Sequence, residues 1–288
     1  MANYPIPERL SATCPHKPEW REWLGNLPSV LSELEQRWEL VLGVPFEGPN
    51  VSCSWVAPAR RKDSTSVIFK MGLPAMESRD ELAGLRFWDG DPTVFLYESD
   101  EAHNAFLLEH CEPGTLLKML PEPKQDDVLA ALLKRLWRKP SEPHVFRHLS
   151  EMLVFWGRET RMDEARWPDP GLVREGLRLF EELSRPDDKS DVLLATDLHA
   201  SNILAAQRES WLVIDPKPFV GDAAYDATQH LLHNCTERLR TDPFATMRHF
   251  ADLLGVDDAR VRLWMFARAA ADPRDNWDDL SLARLLAP

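Results

Sequence analysis

Phosphate-binding glycine motifs are missing from this chain. Its twelve glycines never fall into a G-x-G-x-x-G or a G-x-x-x-x-G-K-[ST] pattern, so neither a dinucleotide-binding Rossmann fold nor a P-loop is expected. Cysteine is scarce as well. Cys14, Cys53, Cys111 and Cys235 stand far apart, without the C-x-x-C pairing of a zinc site or a dithiol centre, and are expected as reduced thiols. Basic residues are outnumbered, 34 Lys and Arg against 47 Asp and Glu, for a formal net charge of −13. Phosphate-backbone affinity comes from clustered Lys and Arg, so a general nucleic-acid binder is disfavoured. A cationic partner suits the balance better, although acidity kept simply for solubility accounts for it about as well. No stretch reaches the roughly 18 apolar residues of a membrane span, and the first twenty residues carry no apolar run of signal-peptide length. No membrane partner and a cytoplasmic location are the expectations; oligomeric state is not readable.

The 288 residues, 44% hydrophobic and 28% charged with eleven tryptophans, have the mixture of a globular protein and the length for two lobes with separate cores. Pro5, Pro7, Pro15 and Pro18 predict an extended arm until a helical pattern begins near Glu19. From Pro28 to about Leu42, Val30, Leu31, Leu34, Trp38 and Val41 recur at helical spacing, and Pro28 suits a helix start. VSCSWVAP (51–58) and STSVIFKMG (64–72) read as an antiparallel hairpin with Lys70 at its far end. A helix over 77–88 and strands over 93–99 and 104–111 follow. Beyond Asp126 helical patterns dominate, at 126–138, 145–164, 170–184, 223–234, 242–254 and 257–271, and three short apolar runs between 191 and 215 interrupt them. The expected fold class is α+β in two lobes: a nucleotide-binding sheet lobe over 1–111, a joint near 109–115, and a helical lobe over 112–288.

The segment DVLLATDLHASNILAAQRESWLVIDPKPFVGDAAYDATQHLL (191–232) carries the chemistry. Asp197 and Asn202 stand in a D-x-x-x-x-N spacing before one β-rich run, and Asp215 ends the next. A hairpin would return Asp215 beside Asn202. Phosphoryl transfer needs such a set, an acceptor for the nucleophile's proton and hard oxygen ligands for Mg²⁺ at the nucleotide phosphates. Turn capping alone would explain an isolated D-x-x-x-x-N; the flanking strands and second Asp strengthen the reading.

These residues, with VIDPKPFVGDAAYDATQHLL and the terminal WMFARAA, resemble the aminoglycoside/hydroxyurea antibiotic resistance kinases, relatives of the protein kinases. The resemblance runs from about Val51 to Pro288. It implies a bilobal protein-kinase-like fold, ATP or another nucleoside triphosphate with Mg²⁺, and an acceptor hydroxyl on an aminoglycoside of the streptomycin type or on hydroxyurea. Carried over by position, Asp197 is the catalytic base and Asn202 and Asp215 are the metal ligands. Lys70 and Glu81 resemble the strand-lysine and helix-glutamate pair that positions the nucleotide phosphates, with Glu77 the competing partner. Glu109 C=O and Cys111 N–H stand where such kinases hold adenine. Ser52 and Ser54, flanking Cys53, could lend backbone N–H groups to phosphates. Ala195-Thr196 replaces the His-Gly of the commoner H-G-D motif, and Pro216-Lys217 stands where protein kinases have Phe-Gly.

Other residues have two readings. His199 favours packing or hydrogen bonding over a base role, Asp222 reads as an N-cap, and Asp226 as a brace for the catalytic loop. Asp272, Asp275, Asp278 and Asp279 form either a solvated acidic loop or a subsite for a cationic acceptor. Two rivals stand beside the antibiotic kinase: a metabolic kinase of a sugar, amino sugar or choline-like alcohol, and a catalytically silent nucleotide-binding protein.

Overall fold

A computed structural model describes residues 4–48, 53–76, 79–277 and 279–288. Its chain divides into two compact units, Met1–Thr115 with Leu204–Ile214, and Leu116–Ile203 with Asp215–Pro288.

The first unit is built on five antiparallel strands, β1 (Leu40–Leu42), β2 (Ser54–Arg61), β3 (Ser66–Gly72), β4 (Leu96–Asp100) and β5 (Ala105–Glu109), in the order β1-β2-β3-β5-β4. Successive side chains on a strand point to opposite faces, and β3 uses both. Val67, Phe69 and Met71 join Trp55, Ala57 and Ala59 in a core covered by α1 (Glu8–Thr13) and α2 (Pro18–Arg37) through Leu10, Leu27, Val30, Leu31 and Leu34. Ile68, on the other face, packs with Phe106, Leu108 and the Leu82 and Leu85 side chains of α3 (Glu81–Trp88). Lys70 shares the parity of Ile68 and therefore meets α3.

Two sequence expectations fail here: the arm expected to be extended folds as α1, with Leu10 buried in the core, and a 3-10 turn at Cys14–His16, and the helix expected from Pro28 starts earlier. The helix begins at Pro18, which takes the first-turn position, and Pro28 lies inside it. Burial of Leu27, Val30, Leu31 and Leu34 around the proline offsets the backbone bond it cannot make. The helix ends at Arg37, Glu39 turns the chain at φ 49°, and Leu40–Leu42 becomes an edge strand on β2.

The second unit holds α4 (Glu122–Leu136), α5 (Leu149–Met162), α6 (Pro170–Leu183), α7 (Ala223–Asn234), α8 (Thr236–Thr241), α9 (Pro243–Leu254), α10 (Asp258–Ala271) and α11 (Ser281–Leu286). Four short strands interrupt the helices along the chain: β6 (Val192–Leu194) and β9 (Phe219–Gly221), which pair in this unit, and β7 (Ile203–Leu204) and β8 (Leu212–Val213), which pair with each other in the segment that packs with the first unit. Asp169, Asp222, Asp242 and Asp257 cap α6, α7, α9 and α10 by accepting first-turn N–H groups, satisfying donors that a helix start leaves open. On α10, Trp264, Met265, Phe266 and Ala267 are buried. α6 comes close to it at Gly176, where a Cβ would stand 2.8 Å from the Ala270 Cβ, so a side chain at 176 would push α10 away. Trp264 Nε1 donates to Asp222 Oδ2 (2.7 Å), tying α10 to the start of α7.

Residues 204–214, expected with the helical lobe, pack in the first unit. Leu204, Ala206, Leu212 and Ile214 join the core beneath α3. Arg208 donates to the Glu109 carboxylate and to the Gly90 and Thr93 carbonyls, 2.9 Å each, with its guanidinium over the Phe95 ring. Among the described residues no helix is long and apolar enough to cross a membrane.

Candidate active site

The loop after β6 is held from below by one buried carboxylate. Asp226, in the first turn of α7, accepts the N–H of Ala195 (2.9 Å), the N–H of Thr196 (2.8 Å) and the Trp137 indole N–H (3.0 Å). Burial outweighs these three donors and pushes its carboxyl up to about 6. Thr196 takes φ 44° and Asp215 φ 54°, a left-handed conformation that is strained for a β-branched side chain. Such strain persists where the surroundings over-determine it. Here Thr196 Oγ1 donates to the Lys217 carbonyl (2.6 Å) while the Lys217 N–H donates to the Ala195 carbonyl (3.0 Å), locking two loops together.

That lock assembles the residues singled out by spacing. Asp197 Oδ2 accepts from Lys217 Nζ (2.6 Å) and its Oδ1 from Gln229 Nε2 (2.5 Å). Lys217 Nζ also lies 3.6 Å from Asp215 Oδ2. Asn202 Nδ2 donates to the Asp197 carbonyl (2.9 Å), which leaves the amide oxygen as its open end. Lys217 thus bridges the Asp197 and Asp215 carboxylates, and Asn202 is tied to them through the Asp197 backbone.

Sequence reasoning noted Lys217 only as a departure from Phe-Gly and did not find Gln229 or Arg268. One signal was available for Gln229: it lies one helical turn beyond Asp226, so a helix that aims one at the loop aims the other there too. His199 keeps the role expected of it. Its Nδ1 accepts the Ser201 N–H (3.2 Å), and its ring stacks on His233 with centroids 5.2 Å apart. Burial lowers the pKa of both imidazoles.

In the first unit, Lys70 Nζ donates to both Glu81 carboxylate oxygens, at 2.6 and 2.7 Å, and both residues are buried. Glu77 and Ser52 lie outside the described residues. Ser54 opens β2 opposite Gly72. The Glu109 side chain is taken by Arg208 and by the Phe95 N–H (3.0 Å). The Cys111 thiol is buried, which pushes it up to about 12, and its backbone N–H meets no acceptor among the described residues.

The C-terminal aspartates do not act as one group. Asp272 Oδ2 accepts from Arg268 Nε (3.0 Å), and burial raises its pKa. Its Oδ1 is buried with no donor among the described residues. Asp272 lines a cavity of about 410 Å³ with Arg268, Arg274, Asn276 and Asp279. Asp279 Oδ1 accepts the Ser281 N–H (2.8 Å) at the start of α11, Asp275 is exposed, and Asp278 lies outside the described residues.

A second cluster, Asp126, His230 and Cys235, is buried in the same unit. Arg238 fills it, donating to both Asp126 oxygens at 2.7 and 2.8 Å and to Cys235 Sγ at 2.9 Å. Its guanidinium occupies the place a metal cation would need.

Residues 37–277 match the sequence profile of the aminoglycoside/hydroxyurea antibiotic resistance kinases. The chain belongs to that family. This kinase is 33% identical over 277 residues to the streptomycin 6-kinase of Streptomyces glaucescens, across 91% of this chain and 88% of the relative. It is likewise 33% identical over 258 residues to the hydroxyurea phosphotransferase of Kitasatospora aureofaciens, across 86% and 72%. Among solved structures, choline kinase LicA from Streptococcus pneumoniae superposes with a TM-score of 0.61 at 14% identity, over 86% of this kinase and 88% of that chain. An aminoglycoside phosphotransferase, APH(3'')-Id from Streptomyces rimosus in complex with ADP and streptomycin, gives 0.55 at 18%, over 83% and 96%. The α+β protein-kinase-like class read from the sequence is therefore the observed one, and the protein is a phosphotransferase acting on a small-molecule hydroxyl.

Proposed function

We propose that this kinase moves the γ-phosphoryl group of ATP, or of another nucleoside triphosphate, onto a hydroxyl of a cationic acceptor of the streptomycin type. The observation that carries the reading is the Asp197 carboxylate, gripped at both oxygens by Lys217 and Gln229 beside two further oxygen donors. Those donors suit Mg²⁺: Asp215 offers a carboxylate, and Asn202 has spent its nitrogen on the Asp197 carbonyl, so its Oδ1 is the ligand end. A bound Mg²⁺ supplies charge neutralisation at the β- and γ-phosphate oxygens.

The rest is the work of this chain's residues. Asp197 accepts the hydroxyl proton as the acceptor oxygen bonds to the γ-phosphorus and the bridging oxygen departs with the nucleoside diphosphate. Lys70, held by the Glu81 carboxylate, contacts the α- and β-phosphates. Glu109 C=O and the Cys111 N–H serve adenine, and Ser52 and Ser54 remain the proposed phosphate cover. Asp272 and Asp279, which share a cavity, would draw an ammonium or guanidinium of the acceptor. Hydroxyurea is the second reading, favoured by a relative of equal identity.

An ATP-consumption screen over streptomycin, hydroxyurea, amino sugars and choline tests this, with Asp197→Asn in parallel. Streptomycin should be phosphorylated, and the variant should lose turnover by on the order of 10²-fold or more while retaining nucleotide affinity. Turnover on an uncharged sugar alone would move the protein to the metabolic-kinase reading, and near-normal turnover in the folded variant would remove Asp197 from the base role.

A further inference from the structure

We infer that Gln229 is a positioning residue for Asp197 and that Arg268 dictates which end of its amide does the positioning. The inference rests on Asp197 being the base. An amide carries an acceptor at one end and donors at the other, whereas a guanidinium can only donate. Arg268 Nη1 lies 2.8 Å from Gln229 Oε1, so the oxygen must face the arginine and Nε2 must face Asp197 Oδ1, 2.5 Å away. Reversing the amide would set two donors against each other at one end and two acceptors at the other.

Arg268 is itself immobilised. It is 5% exposed, and Gln229 is 6% exposed. Its Nη1 also donates to Thr228 Oγ1 (2.8 Å), its Nε donates to Asp272 Oδ2 (3.0 Å), and its guanidinium lies 5.2 Å from the Tyr225 ring centroid. The chain Asp272, Arg268, Gln229, Asp197 therefore alternates acceptor and donor in one direction and ends on the carboxylate. Among the described residues the other grip on that carboxylate is Lys217, a flexible four-carbon stem whose ammonium also neighbours Asp215. Gln229, on a buried face of α7, is the rigid member of the pair and fixes the Asp197 rotamer.

Two variants test this. Gln229→Glu keeps the shape and the acceptor for Arg268 but turns a carboxylate toward Asp197; Gln229→Met keeps the approximate shape and offers neither group. A merely structural Gln229 would tolerate Glu, since the Arg268 anchor survives. The positioning role instead predicts that kcat, read as single-turnover phosphoryl transfer, falls by on the order of 10²-fold in Gln229→Glu. The nucleotide KM should stay within about twofold of wild type, with the unfolding temperature preserved. Gln229→Met should lose kcat in the same direction, and it stands as the deciding variant if the glutamate protein does not fold. Retention of kcat within about threefold in either folded variant overturns the inference. Asp197→Asn run alongside separates the failures: an active Asp197→Asn removes the base reading, whereas an inactive one beside active Gln229 variants removes only the positioning.

Discussion

Asp226→Asn is the perturbation whose sign the structure determines most sharply. The carboxyl rises from its ordinary 3.8 to about 6 on folding, with burial as the leading cause. Because the folded value lies above the unfolded one, the stability this group contributes is fully present below about pH 4 and is lost as pH rises through 6. Well above pH 6 the loss amounts to about 3 kcal/mol, of which about half falls between pH 5 and pH 8. An amide does not ionise, so the variant escapes that loss. It keeps an oxygen for Ala195 and Trp137 but turns its NH₂ toward the Thr196 N–H, a buried donor facing a donor, at about 1–3 kcal/mol. The variant should therefore be the less stable protein at pH 5 and gain on wild type by about 1 kcal/mol at pH 8. Urea unfolding of both proteins, followed by tryptophan fluorescence at the two pH values, measures the difference and cancels the other carboxylates. A wild-type-minus-variant difference that did not change with pH, or grew with it, would refute the burial argument.

Two further outcomes concern the metal. Asp215→Ala should weaken Mg·ATP binding by about tenfold or more, and Asn202→Ala should do so less; equal calorimetric affinity in Asp215→Ala and wild type would remove the ligand role. Lys217→Met deletes a cation 3.6 Å from Asp215 and 2.6 Å from Asp197, so binding of Mg²⁺ alone should tighten while turnover falls by on the order of tenfold; weaker metal binding in that variant would show that Lys217 does not compete for the site.

Much of the fold was legible because local periodicity is what burial selects. The alternation in SVIFKMG placed Lys70 on the opposite face from Phe69, and the α3 pattern Leu82, Leu85, Trp88 turned Glu81 toward the sheet. What failed was information that a short window does not contain. Pro28 carries the composition of a helix start, but a helix nucleated at Pro18 runs through it once both sides are buried. Residues 112–288 read as one helical lobe, yet Arg208 finds Glu109, Gly90 and Thr93 about a hundred positions upstream and carries its segment into the first unit. The four C-terminal aspartates read as one acidic patch. Folding gives one of them a buried arginine and another a helix start, because charge counting takes no account of which way a turn points its side chains.

The candidate site divides along the same line. Asp197 and Asn202 precede β7 and Asp215 follows β8, so spacing within one short segment points to all three. The groups that grip Asp197 come from 20 and 32 residues away, and no motif encodes them. Their trace in the sequence is indirect. In AAYDATQHLL the residues Asp226, Thr228, Gln229 and His230 are all buried, and a buried polar group costs on the order of 1–3 kcal/mol unless it is bonded. Four such groups in five positions can be stable only on a helix that faces a polar network on more than one side. α7 is that helix: it gives Asp226 to the loop backbone, Gln229 to the Asp197 carboxylate and His230 to Asp126. A run of polar residues inside an otherwise apolar helix, next to a D-x-x-x-x-N segment, is thus evidence for the support of a site, and it becomes readable once burial of the helix is known.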